Sequence, residues 1–70
     1  MEIRIDTDYI TLGRFLKLQG LAATGGEAKL LIQSGKVSVN GEMCTIRGKK
    51  LVSGDTVGFN DDNYTIIGSK

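Results

Sequence analysis

Apolar and polar residues alternate over the first five positions of the chain, where Met1, Ile3 and Ile5 are separated by Glu2 and Arg4. A period of two residues is typical of a strand with one buried face. We therefore predict that the chain opens with a short β-strand, half buried against the rest of the fold.

The following stretch, "TLGRFLKLQG", has its apolar residues at the spacing of a helix. Thr11 is placed to cap the start of this helix and Gly20 to end it. Arg14 and Lys17, three positions apart, then lie together on its polar face. The apolar stripe, which predicts the buried face, consists of Leu12, Phe15 and Leu16.

A second helix is predicted after Thr24, which has capping-box spacing with Glu27. In such a box the hydroxyl accepts a hydrogen bond from the backbone N–H three residues on, and the carboxylate reaches back. Gly35 is placed to end this helix, and Lys29 and Gln33 share its outer side. The buried stripe consists of Ala28, Leu31 and Ile32. Because the acid is used at the cap, the exposed flank is left basic.

Turn residues divide the second half of the chain into four short predicted strands. Asn40-Gly41 favours a type I′ turn between the first two, and both residues are interpreted as turn formers only. The stretches "TVGF" and "YTII", separated by "NDDN", predict a closing hairpin with a four-residue loop. Asp61 and Asp62 would lie inside that loop and serve its geometry.

One strand, two helices and four strands, in this order, predict an α+β fold. We expect two helices packed on a small, mostly antiparallel sheet of about four to five short strands. No proline, low-complexity stretch or internal repeat marks a linker, so residues 1–70 are expected to form a single domain. A domain of this size has little room for a large enclosed active site.

The net charge of +1 hides an uneven distribution. Residues 14–50 carry seven basic and two acidic side chains, a net charge of +5, whereas residues 1–13 and 51–70 carry −2 each. A basic middle indicates a face that binds a polyanion. A basic loop is predicted around Gly48, with Arg47 and Lys49 on one side of an extended segment and Lys50 on the other.

The residue inventory argues against catalysis and against a metal site. The chain has no histidine, which is the usual base near neutral pH and a common metal ligand. Cys44 is its one cysteine, so neither a disulfide framework nor a structural zinc site is expected. No Walker or dinucleotide-binding spacing occurs. We expect a protein that is not an enzyme and that needs no cofactor or metal.

The sequence predicts neither a membrane segment nor a secretory leader. No apolar run approaches the roughly 20 residues of a membrane span. The first ten residues lack the charged and apolar regions of a signal peptide. A lone cysteine also suits a reducing compartment. We therefore expect a cytoplasmic protein with no membrane partner.

The stretches "GGEAKLLI", "GKVSVNGE" and "LVSGDTV" occur in an order and spacing that resemble the S4 RNA-binding domain family, in particular its single-domain bacterial members. The resemblance is strongest over residues 10–58. It implies a small S4-like (αL) domain, whose two helices and sheet make an L-shaped surface for structured RNA. It also implies a binding module, because the catalytic domains that accompany S4 modules elsewhere have no counterpart in these 70 residues.

The resemblance and the charge pattern together predict an RNA-binding face formed by the two helices and the basic loop. Many S4 domains carry an arginine at the start of the first helix and a serine–arginine pair opening the second, where this chain has Thr11 and Thr24-Gly25. A phosphate would instead use the N–H groups of Gly25 and Gly26 and the helix dipole. The candidate RNA-binding residues are Arg14, Lys17, Gly25, Gly26, Lys29, Gln33, Lys36, Arg47, Lys49 and Lys50.

Some of these residues also have a purely structural interpretation. Lys29 is equally well explained as a solvated helix former, and Lys36 as a cation beside the last carbonyls of the second helix. Among the aromatic residues, Phe15 and Phe59 fit the core pattern, whereas Tyr9 and Tyr64 stay open at this stage.

Few aromatic rings are available for stacking bases, which disfavours a binder of single strands. Folded RNA, read through phosphates, 2′-hydroxyls and shape, fits the charge pattern better. The expected partner is a structured RNA of the rRNA or tRNA kind, bound with low sequence specificity by a monomer. The alternative is a small protein-interaction adaptor that docks a protein partner by its sheet and has no nucleic-acid partner.

Overall fold

The computed structural model describes residues 1–68. Two helices and seven strands occur in this range, and they alternate with tight turns. In chain order the elements are β1 (Glu2–Arg4), β2 (Ile10–Thr11), α1 (Leu12–Leu18), α2 (Gly25–Gln33), β3 (Val37–Val39), β4 (Glu42–Met43), β5 (Lys50–Leu51), β6 (Thr56–Phe59) and β7 (Asp62–Ile67).

Five of the strands form one sheet in the order β1-β7-β6-β3-β4. β1 is parallel to β7, and the other neighbours are antiparallel. The predicted α+β fold, with two helices and a mostly antiparallel sheet, is confirmed. β2 and β5 form a separate antiparallel pair that the sequence did not predict, because two residues are too few for alternation to show.

The helices and the sheet share one apolar core. Both predicted helical stripes are buried in it, except that Leu31 is only partly buried. The ring of Phe15 on α1 meets that of Tyr64 on β7 edge to face, with their centroids 5.6 Å apart. Phe59 is buried as predicted, and Tyr64 joins it. Tyr9 is the one aromatic residue that remains substantially exposed among those the structure describes.

The start of α1 is capped by a distant turn, not by Thr11. The Thr11 side chain makes no capping hydrogen bond, which corrects that expectation. Instead, the N–H of Leu12 donates to the carbonyl oxygen of Lys49 at 2.9 Å, and the N–H of Gly13 donates to that of Arg47 at 3.0 Å. Since the first amides of a helix have no partner within it, these bonds satisfy two of them. They also fix the turn against the helix.

The start of α2 is capped as the sequence predicts. The N–H of Glu27 donates to the hydroxyl oxygen of Thr24 at 3.1 Å. This bond is one half of the predicted capping box. The other half, in which the Glu27 carboxylate reaches back to the N–H of Thr24, does not form within residues 1–68. Gly20 and Gly35 follow α1 and α2 with φ angles of +74° and +80°, which is the left-handed conformation expected of a glycine that ends a helix.

Replacing Thr24 by alanine is expected to lower the free energy of unfolding by about 1 kcal/mol, because one amide of α2 loses its partner. Denaturant unfolding monitored by circular dichroism measures this loss. Thr24→Ser keeps the hydroxyl and is the matched control, with little expected change. Equal stabilities for the alanine and serine variants would contradict the capping role.

The two hairpin turns have the same backbone geometry. Asn40 and Gly41 have φ angles of +54° and +84°, which confirms the predicted type I′ turn. The predicted four-residue loop of the last hairpin is wrong, because the turn consists of Asn60 and Asp61, with φ angles of +51° and +66°. Asparagine and aspartate tolerate this conformation, so two residues suffice and Asp62 pairs with Phe59 at the start of β7.

The side chain of Asn40 does more than form a turn, contrary to the expectation. Its Nδ2 donates to the Oδ1 of Asp55 at 3.1 Å, and its Oδ1 accepts from the N–H of Thr56 at 2.9 Å. The Oδ2 of Asp55 in turn accepts from the N–H of Val52 at 2.9 Å. Asn40 therefore ties the "VNG" turn to the "SGDT" turn, which gives a physical reason for the two stretches to occur together.

Asn40→Gly is expected to destabilise the fold by about 1–3 kcal/mol, because two side-chain hydrogen bonds of about 0.5–1.5 kcal/mol each are lost. Glycine retains the positive φ, so turn geometry is not the cause. Asn60→Gly makes the same change at the matching position of the other turn and is the control. Any effect of the added glycine on the conformational freedom of the unfolded chain is the same in both variants. The difference between the two variants in urea unfolding measures the side-chain bonds, and no difference would refute this role.

Candidate nucleic-acid interface

The middle of the predicted basic loop forms a turn at residues 46–49, and this turn lies against the first turn of α1. The N–H of Lys49 donates to the carbonyl of Ile46 at 3.2 Å, so the backbone folds back here. The expectation of an extended segment through Arg47 and Lys49 is therefore wrong, and only Lys50 lies in a strand. The two bonds from α1 to the carbonyls of this turn hold Arg47 beside the helix.

Gly13 allows Arg47 to approach the helix closely. A Cβ atom on Gly13 would lie 2.6 Å from the Cγ of Arg47 and 3.2 Å from its Cδ. Such distances are shorter than normal carbon–carbon contacts, so a larger residue would displace the arginine. The absent side chain thus leaves room for the Arg47 stem to cross the first turn of α1.

An open groove of about 430 Å³ lies where α1, the start of α2 and this turn meet. Three exposed cationic side chains line it, two from α1 and one from the turn at residues 46–49. We call this feature the basic groove, and its lining residues are Thr11, Gly13, Arg14, Lys17, Leu18, Gly25, Arg47 and Gly48. Four of the predicted RNA-binding residues are therefore brought together here: Arg14, Lys17, Gly25 and Arg47.

The amino end of α2 adds helix-dipole potential to the basic groove. Gly25 is the first residue of the helix, and space is open where a Cβ would stand on it. The first amides of a helix point outward along its axis and attract anions. Lys29 and Gln33 follow Gly25 at intervals of four residues, so the three share one side of α2. Gly26 lies beside Gly25 but outside the lining of the groove.

The structure separates the other three predicted residues from the basic groove. Lys36 lines a depression beside the last hairpin turn, together with Asp61 and Asp62. Lys49 lines a groove along the β3–β4 hairpin. Lys50 lies over the ring of Tyr9, with its Nζ 4.8 Å from the ring centroid. The predicted basic loop is thus divided among several surfaces.

The basic groove offers cationic side chains and the positive end of a helix dipole. Such a set can hold an anion. Within residues 1–68, no group of histidine, cysteine, aspartate and glutamate side chains is arranged to hold a metal ion. None of the helices in the same range is long and apolar enough to cross a membrane.

Sequence reasoning missed Thr11, Gly13 and Leu18 as part of this site, and it placed Gly48 in the basic loop without assigning it a contact. A single glycine inside a helical pattern is a recognisable signal of close packing, and Gly13 could have been found from it. Leu18 and Gly48 carried no such signal, because their position depends on the contact between α1 and a turn about 30 residues further along the chain.

Comparison with known proteins agrees with the fold and its motifs. A family model described as S4 domain matches residues 3–67. The chain is 49% identical over 55 residues to the Bacillus subtilis protein named "Probable ribosome maturation protein RlbA", covering 79% of this chain and 78% of that protein. It is 34% identical over 59 residues to YbcJ of Escherichia coli, covering 84% of each.

A solved structure shows the same architecture. The solution structure of YbcJ from Escherichia coli superimposes with a TM-score of 0.69 and 30% sequence identity, covering 94% of this chain and 85% of YbcJ. That structure is described as revealing an alfaL motif involved in RNA binding. The resemblance seen in the sequence is thereby confirmed, and the chain belongs to the S4 domain family.

Proposed function

We propose that this chain is a non-catalytic module, formed by residues 1–70, that binds structured RNA through the basic groove and the adjoining side of α2. The observation that carries the proposal is the convergence of Arg14, Lys17 and Arg47 on one groove at the amino end of α2. Cations contributed by separate elements are fixed relative to one another, as recognition of a phosphate backbone requires.

The relatives favour RNA as the polyanion. YbcJ has a motif described as involved in RNA binding, and RlbA is named as a ribosome maturation protein. Of the two kinds of RNA expected, ribosomal RNA fits both descriptions, whereas transfer RNA fits only the first. The stem of Arg47 also lies against the first turn of α1, the part of the helix in which many S4 domains carry an arginine of their own. The departure at Thr11 is thus compensated from a different part of the chain.

The exposed surface favours folded RNA over single strands. Binders of single strands stack successive bases on several aromatic rings, whereas Tyr9 is the exposed ring in residues 1–68. Duplex segments are instead bound through phosphates, 2′-hydroxyls and shape. Charge and groove geometry, which this chain has, are sufficient for that mode.

A hairpin RNA is expected to bind at least about tenfold more tightly than an unpaired strand of the same base composition, a difference of about 1.4 kcal/mol. Fluorescence anisotropy at fixed salt measures both affinities. Crosslinking in cells followed by sequencing then identifies the RNA that the chain contacts. Equal affinity for the two RNAs would overturn the preference for structure, and the absence of binding to either would overturn the proposed function.

Gly13→Ala is expected to weaken hairpin binding several-fold while leaving the fold intact. The added methyl group displaces the stem of Arg47, but alanine favours the helical backbone more than glycine does, which offsets part of the cost to stability. Anisotropy and thermal unfolding are measured on the same variant. Gly26→Ala is the control, because Gly26 lies outside the lining of the basic groove, alanine keeps its backbone N–H, and its Cβ would meet nothing closer than 3.9 Å. An unchanged affinity in Gly13→Ala would show that the position of Arg47 is unimportant.

The second candidate function is a protein-interaction adaptor. Met43 and Ile46 are 68% and 65% exposed, and both line the groove along the β3–β4 hairpin. Exposed apolar side chains at a sheet edge favour contact with a protein. The dependence of binding on salt separates this function from RNA binding, since docking of an apolar surface does not release counterions.

A further inference from the structure

A second groove adjoins the basic groove and differs from it in character. It has a volume of about 850 Å³, within the range of sites that hold small organic groups. Three residues line both grooves and form the boundary between them: Thr11, Arg14 and Leu18. We call it the mixed groove, and it is completed by the segment from Arg4 to Ile10. A ligand held in the basic groove would therefore extend directly into it.

Tyr9 supplies an aromatic wall to the mixed groove. Its side chain is 44% exposed, and Leu18 at the boundary is 61% exposed. The backbone at Tyr9 is held by a hydrogen bond from the hydroxyl of Thr7 to the Tyr9 carbonyl at 2.8 Å. The ammonium of Lys50 lies 4.8 Å from the ring centroid. Lys50 occupies one face of the ring but does not line the mixed groove, so the part of Tyr9 that lines the groove is available for a planar ligand.

The charges of the mixed groove do not suit a phosphate chain. Among the residues that line it, Arg4 and Arg14 are balanced by Asp6 and Asp8, while the ammonium of Lys50 lies outside the lining, against the ring of Tyr9. The carboxylates repel phosphates, but they accept hydrogen bonds from the amino groups at the edges of bases. Balanced charge, an exposed ring and an apolar rim at Leu18 together match a neutral, planar and polar-edged group.

We propose that the mixed groove holds one unpaired nucleobase of an RNA whose flanking phosphates lie in the basic groove. The base stacks on Tyr9, and its exocyclic amino group donates to the carboxylate of Asp6 or Asp8. Adenine, cytosine and guanine have such an amino group, and uracil does not. This inference rests on the proposed function and adds to it the feature that the structured RNA presents, which is an unpaired base next to a duplex.

The test compares two hairpin RNAs with the same stem, one fully paired and one with a single bulged adenosine. The unmodified protein is expected to bind the bulged hairpin at least about fivefold more tightly, since stacking of a base on an aromatic ring is worth about 1–3 kcal/mol. Tyr9→Ala is expected to remove this preference and to leave binding of the paired hairpin unchanged within about twofold. Tyr9→Phe keeps the ring and is expected to keep the preference.

Three outcomes bear on the base site separately from the proposed function. If the paired hairpin binds normally and the bulge gives no advantage, the base site is refuted and the basic groove stands. If Tyr9→Ala weakens both hairpins equally, Tyr9 acts through Lys50 or the fold, and the base site is again refuted. If neither hairpin binds, the proposed function fails and this inference fails with it.

The identity of the bulged base tests the role of the acids. A bulged adenosine is expected to bind at least about fivefold more tightly than a bulged purine riboside, which is adenosine without its amino group, because one hydrogen bond to a charged group is worth about 1.5–3 kcal/mol. Replacing Asp6 and Asp8 by alanine changes the overall charge equally for both RNAs, so the ratio isolates the hydrogen bond. A ratio that stays the same in this double variant would overturn the assignment of the carboxylates.

Discussion

Replacing Arg14 and Arg47 together by glutamate is expected to weaken binding to a hairpin RNA at least about a hundredfold. The two guanidinium groups line the same groove although they lie 33 positions apart in the chain. A hydrogen bond to a charged group is worth about 1.5–3 kcal/mol, so the loss of two such contacts alone accounts for this factor. The introduced carboxylates then repel the phosphates as well.

The double variant is expected to remain folded, because Arg14 and Arg47 are both exposed and exposed charges contribute little to stability. Circular dichroism and thermal unfolding verify this before affinity is measured by anisotropy at fixed salt. Changing Asp61 and Asp62 to asparagine is the control, since these residues belong to the hairpin turn away from the basic groove. It should leave affinity almost unchanged or raise it slightly through long-range electrostatics.

Rank order makes this experiment decisive. Lys29→Glu is expected to have an intermediate effect, because Lys29 continues the side of α2 that begins at Gly25. The joint change of Lys49 and Lys50 to glutamate is expected to have a smaller effect than the double arginine variant, since Lys49 lines another groove and Lys50 lies against the ring of Tyr9, outside the basic groove. Equal losses at all sites would mean that only net charge matters, and a loss confined to the Asp61–Asp62 control would place the site elsewhere.

Local signals were sufficient to predict most of the fold. The stripe of Leu12, Phe15 and Leu16 and the Asn40-Gly41 turn are each encoded within a few residues, and the structure contains both as expected. The last hairpin shows where local reasoning was wrong by two residues. "NDDN" is polar throughout, so composition alone did not show that Asp62 would extend β7 and leave a two-residue turn.

The candidate site was less predictable because its geometry depends on backbone bonds between distant residues. Sequence spacing placed Arg47, Lys49 and Lys50 in one loop, but the bond from the Lys49 N–H to the Ile46 carbonyl folds this segment back, and the bonds from α1 hold it against the helix. Arg47 consequently reaches the helix, while Lys50 enters β5. Gly13, a lone glycine inside a helical pattern, indicated close packing, but the sequence did not show that Arg47 is its neighbour.

Binding to a hairpin RNA is expected to weaken steeply as salt rises, with a slope of about −3 to −5 in a plot of log affinity against log salt concentration. Each neutralised phosphate releases condensed counterions, and about four to six contacts are expected for a face of this size. Between 50 and 200 mM salt, the affinity would fall about 60- to 1000-fold. Anisotropy titrations over this range measure the slope directly.

The slope also reports which cations touch phosphates, and it separates the two candidate functions. Arg14→Ala and Arg47→Ala should each reduce its magnitude by about 1, because each removes one phosphate contact. Tyr9→Ala should leave the slope unchanged, since a stacked base releases no counterion. For an adaptor that docks a protein through Met43 and Ile46, affinity for that protein would depend little on salt and any RNA binding would be absent. A slope near zero with RNA would therefore reject the basic groove as a phosphate site, whereas a steep slope that the arginine variants reduce one by one would identify the groove as the place where the backbone is held.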